Sequence, residues 1–445
     1  MKKHILMLAV AVMTLPAMAD YKAEFNSEEA TVINITEGGQ YRIYNDLFSQ
    51  TGIPIIVSSD IADTVFITLE DVNIVPDSAG SAMVIGENSV VVLNLGGTET
   101  ETDLKGKTTG CGIEVLGDLI INGSNDNTLS CKGAGRAAAI GTTGKSTSVG
   151  SITINGGNII AKSGSESAGI GASNAGRLGD ITINGGYVQA VGGAYSSAIG
   201  GSYCSKGTAT ISINGGMVEA QAGYYCSDYS IGRGNGTHSG TVSVVILGGS
   251  IIAKDKDGKY EGTTVGKIYN PTNNNEDLVL FTYTLAEHPS TLVTEGHIGT
   301  LQLGTDYGIN DVYTDENGVL YFYLPESAKG KEVVINGITI SEATPDQGGE
   351  GEGGDEGDGD KGDGDKDPDG EGVINTYGEQ TNIDIINTID GIIVNNTNNN
   401  LVSICDLTGK TVLQCTVCDN QPISLTKGLY IVRVNSVGNF KCIVK

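Results

Sequence analysis

Ile152-Thr-Ile-Asn155-Gly-Gly157 recurs as Ile181-Thr-Ile-Asn184-Gly-Gly186, as Ile211-Ser-Ile-Asn214-Gly-Gly216 and, weakened, as Val244-Val-Ile-Leu247-Gly-Gly249. The Gly-Gly pairs stand 29, 30 and 33 residues apart. A period of that size signals stacked units, each burying its apolar face only against its neighbours. Within a unit three short extended runs follow one another. After Ile-Thr-Ile-Asn-Gly-Gly come Asn158–Ala161, Tyr187–Ala190, Met217–Ala220 and Ser250–Ala253. Then comes Ile-Gly, at Ile140-Gly141, Ile170-Gly171, Ile199-Gly200 and Ile231-Gly232, with a weaker echo at Val265-Gly266. Glycine every six to ten residues excludes helices. The pattern predicts an all-β chain built on a right-handed parallel β-helix of about seven or eight coils.

Alternation puts Ile152/Ile154, Ile181/Ile183, Ile211/Ile213 and Val244/Ile246 on one face and Thr153, Thr182 and Ser212 on the other. Stacked coils should set isoleucine on isoleucine, and Ala161, Ala190, Ala220 and Ala253 in a column of small residues. Asn155, Asn184 and Asn214, with Asn122 before them, should share a corner. Asparagine tolerates a left-handed backbone there, and its amides can bond up and down the column. Leu247 ends that series.

Working outward, residues 61–270 read as the helix and residues 20–60, with Thr31–Ile35 and Tyr41–Ile43, as strands capping its N-terminal end. An uncovered coil is an exposed sheet edge. Residues 271–345 read as a capping β region. Residues 346–372 hold 12 acidic residues, two lysines and 11 glycines without an apolar side chain, the composition of a disordered linker. Asp365-Lys-Asp367-Pro-Asp369-Gly370 copies the first six positions of a calcium loop, but Thr376 stands where its glutamate belongs. Residues 373–445 read as a small β-sandwich.

Residues 1–19 read as a secretory signal peptide: Lys2 and Lys3, the apolar run Ile5–Leu15, and Ala17-Met-Ala19 before Asp20. No other apolar stretch is long enough to span a membrane. The formal net charge of −27 argues against nucleic acid, whose binders need basic patches. It also implies that an anionic ligand would need a bridging cation. The eight cysteines are scattered, and up to four disulfides are open to an exported chain. Cys415-Thr-Val-Cys418 lies in a strand-like run that sends its sulfurs to opposite faces, which favours structural cysteines over a redox pair.

Ala139-Ile-Gly-Thr-Thr-Gly144-Lys145-Ser146 fits a relaxed P-loop pattern, but a P-loop leads into a helix and here a strand should follow. His238, His288 and His297 lack zinc spacing, and no GxSxG elbow occurs. Asp180, Glu219 and Asp228 are the carboxylates a polysaccharide lyase or hydrolase could use, with only Arg136, Lys145, Arg177, Lys206 and Arg233 as basic residues considered beside them. The stronger signal is aromatic. Tyr187, Tyr195, Tyr203, Tyr224, Tyr225 and Tyr229 fall within two coils, several at corners that point outward. Tyrosine pairs an apolar ring with a polar tip, suited to a sugar ring or to a protein partner.

Two family resemblances extend this reading. Residues 30–270 resemble the β-helical carbohydrate-binding domain family of bacterial surface proteins, through Gly39-Gln-Tyr41, Phe66-Ile-Thr-Leu-Glu-Asp-Val-Asn-Ile74 and the repeated Ala-Gly-Ile-Gly and Ile-Thr-Ile-Asn-Gly-Gly phrases. That resemblance implies binding of polysaccharide, plant-type or host glycan, with calcium as a possible cofactor. The tail resembles a degenerate type IX secretion system C-terminal sorting domain, through Val402-Ser-Ile-Cys-Asp-Leu-Thr-Gly-Lys410, Ile423-Ser-Leu-Thr-Lys-Gly-Leu-Tyr-Ile-Val432 and Lys441-Cys-Ile-Val-Lys445. It implies the outer membrane secretion machinery as a partner, and secretion or display on the outer surface of a Gram-negative bacterium. The expectation is an exported, surface-associated, non-catalytic β-helix protein that binds polysaccharide. The alternatives are a structural or adhesive surface protein with a protein or cell partner, and a polysaccharide lyase.

Overall fold

A computed structural model describes residues 21–46, 48–97, 101–146, 148–226, 229–236, 239–255 and 278–340, and the backbone of seven strands between 384 and 444. The signal peptide, the acidic linker with its calcium-like run, Val265-Gly266, Asp228, His238 and Cys418 lie outside the described residues.

The chain winds through three parallel sheets in a fixed order. The isoleucine face has nine strands, among them Ile152–Ile154, Ile181–Ile183, Ala209–Ile213 and Val242–Ile246. The alanine face follows in each coil with eight strands, such as Thr128–Lys132, Asn158–Lys162, Tyr187–Val191 and Met217–Gln221. The glycine face closes the coil with eight, of which Ile140–Gly141, Ile170–Gly171, Ile199–Gly200 and Ile231–Gly232 are two residues long. Seven coils have all three sides, and a part-coil stands at each end. Nine strands at about 4.8 Å make a rod about 40 Å long.

The register carries out the column argument. Leu119, Ile152, Ile181, Ile211 and Val244 pair in succession, as do Ile121, Ile154, Ile183, Ile213 and Ile246. All are buried in one continuous core. Cys131, Ala161, Ala190, Ala220 and Ala253 form the small column, with Leu104 before them. Small residues there let the bulk of the isoleucines opposite fill the tube at native packing density.

The asparagine ladder is longer than the repeats suggest. Asn214 Nδ2 donates to Asn184 Oδ1, Asn184 to Asn155 and Asn155 to Asn122, each at 2.8 Å, and Asn122 donates to Asn94 at 3.0 Å. The backbone expectation for this corner is corrected. None of these asparagines has positive φ; the second glycine of each pair does, at Gly157 (101°), Gly186 (85°), Gly216 (84°) and Gly249 (88°). Asparagine serves the ladder, and glycine takes the left-handed turn.

The helix also starts earlier than residue 61. Ala23–Asn26 and Gly39–Tyr44 lie on the isoleucine face, Ile33–Ile35 and Ile55–Val57 on the glycine face, and Gln50–Thr51 on the alanine face. Residues 23–57 are therefore coils of the same stack, not separate cap strands. Their partners lie only 18 and 26 residues away (Ala23 with Tyr41, Tyr41 with Ile67). These shorter turns hide them from a search at a period near 30.

Beyond the last coil, Leu278–Thr284 pairs antiparallel with Val319–Pro325, and Gly296–Ile298, Leu301–Gln302, Val333–Ile335 and Ile338–Ile340 form a second small sheet. Leu278 and Tyr323 join the helix core, while Phe322, Leu320 and Ile335 centre a core of their own. A strap from this region, residues 307–311, runs along the Gly-Gly corner. Gly249 N–H donates to Gly308 O at 2.8 Å, Gly216 N–H to Asn310 O at 2.6 Å, and Gly186 N–H to Asp311 Oδ2 at 2.9 Å. A Cβ at Gly215 would lie 3.2 Å from Asn310 Cβ, and one at Gly185 would lie 2.7 Å from Asp311 Oδ2. The glycine pairs thus leave bare backbone for the strap as well as a turn.

Residues 351–445 form a separate unit. It has two antiparallel sheets, one of Asp384–Thr388, Gly391–Asn395 and Pro422–Ser424, the other of Thr411–Thr416, Leu401–Asp406, Gly428–Val434 and Gly438–Val444.

Candidate functional site

Because the strands of the glycine face are so short, the loop entering it and the loop leaving it run side by side on the outside of the rod. Lys162 pairs with Val191, and Val191 with Gln221. Four residues on, Glu166, Tyr195 and Tyr225 therefore occupy one corner position in three successive coils. All three are left-handed, at φ 54°, 63° and 67°. A side chain other than Gly, Asn or Asp in that region costs about 1 kcal/mol or more. Two successive tyrosines at such a position are an outlier of the kind that marks functional surfaces.

Tyr195, Tyr203, Tyr224 and Tyr225 come together. Tyr195 stacks on Tyr225 with centroids 5.1 Å apart and tilts against Tyr203 at 5.3 Å, while Tyr224 stands edge-on to Tyr225 at 4.2 Å. Tyr224 and Tyr225 are more than half exposed (58% and 55%) and Tyr203 is exposed at 38%. A stable side chain this apolar left open to water is unusual, and four in contact form a platform. Asn235 holds it from below. Its N–H donates to Tyr195 O at 2.8 Å and its Nδ2 to Tyr225 O at 2.7 Å. No motif marks Asn235; its signal is its register with Tyr203 and Asn174 in the coils before. Gly236 makes room beside it, since a Cβ there would lie 3.1 Å from the Tyr203 ring.

Tyr187 and Tyr229 are not brought into these ring contacts. Tyr187 lies on the alanine face, in register between Asn158 and Met217. Burial, reinforced by Glu219, pushes its phenol above the usual range. Tyr229 is partly buried at the far end of the Tyr224 loop, where its carbonyl accepts from Cys226 Sγ at 3.6 Å.

Of the carboxylates considered for catalysis, Asp180 and Glu219 have structural partners. Asp180 Oδ1 accepts from Thr210 N–H of the next coil at 2.7 Å. Glu219 Oε2 accepts from Gln189 at 3.4 Å and faces Lys254 at 3.9 Å. An open groove of about 390 Å³ runs beside Asp180, Arg177, Ser151 and Asp118. There too Asp118 Oδ1 is held by Ser151 N–H and Oγ, both at 2.8 Å. The P-loop-like run is a coil corner: Ser146 Oγ donates to Glu114 at 2.9 Å and accepts from Thr143 N–H, and the next element is the strand Ile152–Ile154. His297 sits on a strand and the carbonyl of His288 accepts from Thr314. Among the described residues no three His, Cys, Asp or Glu side chains group as metal ligands. Cys111 and Cys131 are buried and form no disulfide, and burial pushes both thiols well up. No helix among the described residues is long and apolar enough to cross a membrane.

Comparison with known proteins agrees with the winding. Residues 152–174 and 181–203 match the family model described as a beta helix repeat. No curated protein and no solved structure matches the chain. The matched stretches are one coil each, in register on all three faces, and the chain is a β-helical repeat protein.

Proposed function

We propose that this β-helix is an exported, non-catalytic polysaccharide-binding protein whose recognition surface is the tyrosine platform of Tyr195, Tyr203, Tyr224 and Tyr225. The observation that carries the reading is the platform itself: four rings in contact, three of them open to water, and two held in a left-handed backbone. An aromatic face with a hydroxyl rim suits the apolar face and equatorial hydroxyls of a pyranose. The partners found for Asp180 and Glu219 support binding over cleavage. Export rests on the signal-like residues 1–19. Surface delivery rests on the resemblance of the tail to a sorting domain of type IX secretion, with the outer membrane machinery as partner.

Affinity electrophoresis of the mature chain in gels cast with plant and host glycans tests the proposal, with and without a chelator to read any calcium requirement. Retardation that Y224A/Y225A abolishes is the expected result. No retardation on any glycan overturns it and turns attention to a protein partner for the same platform. Unsaturated products absorbing in the ultraviolet after incubation with a polyuronate would instead make the chain a lyase.

A further inference from the structure

Three lysines stand in register on three consecutive coils of the alanine face. Lys105 pairs with Lys132, and Lys132 with Lys162. The residue before each, Leu104, Cys131 or Ala161, is buried in the core, so the lysines project outward from the rod. Neighbouring strands are about 4.8 Å apart, and like charges directly opposite one another destabilise a sheet. The chain carries 53 acidic residues against 26 lysines and arginines, yet this column repeats the scarce charge. Lys105 has Asp103 at 2.6 Å. On the strands of the other two, the outward residues beside Lys132 are Thr128 and Ser130, and beside Lys162 are Asn158 and Ile160, all uncharged. Arg136, one turn past Lys132, is exposed and pairs with Glu166 at 3.0 Å.

We infer that Lys105, Lys132 and Lys162 are an anion-binding ladder for a linear acidic glycan, one that presents sulfate esters or uronate carboxylates at regular intervals and lies along the rod axis. Each amine is a compact point charge on a flexible stem. A chain with one anion per sugar or disaccharide meets one amine per coil or every second coil, and bound anions relieve the repulsion within the column. The ladder ends at Lys162, four residues before Glu166. Tyr195 and Tyr225 take the position of Glu166 in the next two coils. A glycan following the edge between the alanine and glycine faces therefore passes from the amines to the tyrosine platform. The ladder would supply positive charge directly, without a bridging cation at this surface. The inference rests on the glycan-binding reading for its ligand class and on the lysine register for its site.

The test uses the mature chain and the K105Q/K132Q/K162Q variant on immobilised heparin, immobilised polygalacturonate and a neutral glycan that the wild type binds, all with chelator present. Heparin and polygalacturonate separate sulfate from carboxylate as the charge read. Wild-type retention on at least one acidic glycan that weakens as salt screens it, with a loss of about tenfold or more in the variant, is the expected result. The variant should bind the neutral glycan like the wild type, which shows that it keeps its fold although K105Q gives up the contact with Asp103. Equal retention of variant and wild type overturns the ladder. Failure of the wild type on both acidic glycans while the neutral one still binds overturns the ladder and leaves the polysaccharide reading standing. Failure on every glycan removes both.

Discussion

Two residue types explain most of the difference between scaffold and surface. In the asparagine ladder each interior member both gives and receives an amide bond and so counts twice, whereas Asn214 at its end only gives. Asn184→Ala removes the bonds to Asn155 and Asn214 together, whereas Asn214→Ala removes one. At about 1 kcal/mol for each such bond, chemical denaturation should show the interior substitution costing about twice the terminal one. Equal costs would mean that the amides act singly rather than as a column. Tyr225 behaves in the opposite sense. Tyr225→Gly relieves a left-handed backbone but forfeits its stacking on Tyr195, terms of about 1 kcal/mol each. Stability should therefore shift by less than about 1 kcal/mol while glycan retardation is lost. A collapse in stability would show the ring to be part of the core.

At the scale of elements, the isoleucine, alanine and glycine columns were legible because each repeats one residue type at one period. The first coils were not, because their turns are shorter and the corner after the isoleucine-face strand carries no Gly-Gly. The tyrosines were legible as a cluster in sequence. Alternation within Tyr187–Val191 sets Tyr187 on a strand, whereas Tyr195 and Tyr225 fall four residues past a strand end, which is what separates them in space. The lysine ladder is written at spacings of 27 and 30 residues, visible only once the columns are aligned. The strap could not be seen at all, since Asp311 meets Gly186 across 125 residues of chain. It can be tested alone. Asp311→Ala removes a carboxylate bond to Gly186 N–H, and a hydrogen bond to a charged group contributes about 1.5–3 kcal/mol. Hydrogen exchange should quicken at Gly186 and Gly216 and within residues 307–314, while the isoleucine strands before residue 154 keep their protection. Uniform loss of protection would show the strap to be inseparable from the helix.

For the 21–340 unit as a whole, the open question of a stacked fold is what closes its ends, because every coil but the last is covered by the next. Here the C-terminal end is closed by a graft of tyrosines: Tyr307 OH donates to Gly249 O at 2.8 Å, and Tyr323 lies in the helix core. Burial pushes both phenols well above the ordinary tyrosine range. A pKa raised by folding means that the folded state holds the proton more tightly than the unfolded chain. The stabilisation is complete below the unfolded value of about 10 and is lost as pH rises beyond it. The melting temperature of the 21–340 unit should accordingly be flat through neutral pH, as far as these phenols set it, and should fall above about pH 10. Tyr307→Phe sharpens the test. It loses one hydrogen bond, about 1 kcal/mol at neutral pH, but removes one ionising group from the seam, so its melting temperature should decline less steeply in alkali than that of the wild type. Parallel alkaline slopes for the two proteins would show that Tyr307 ionisation does not govern the opening of this end.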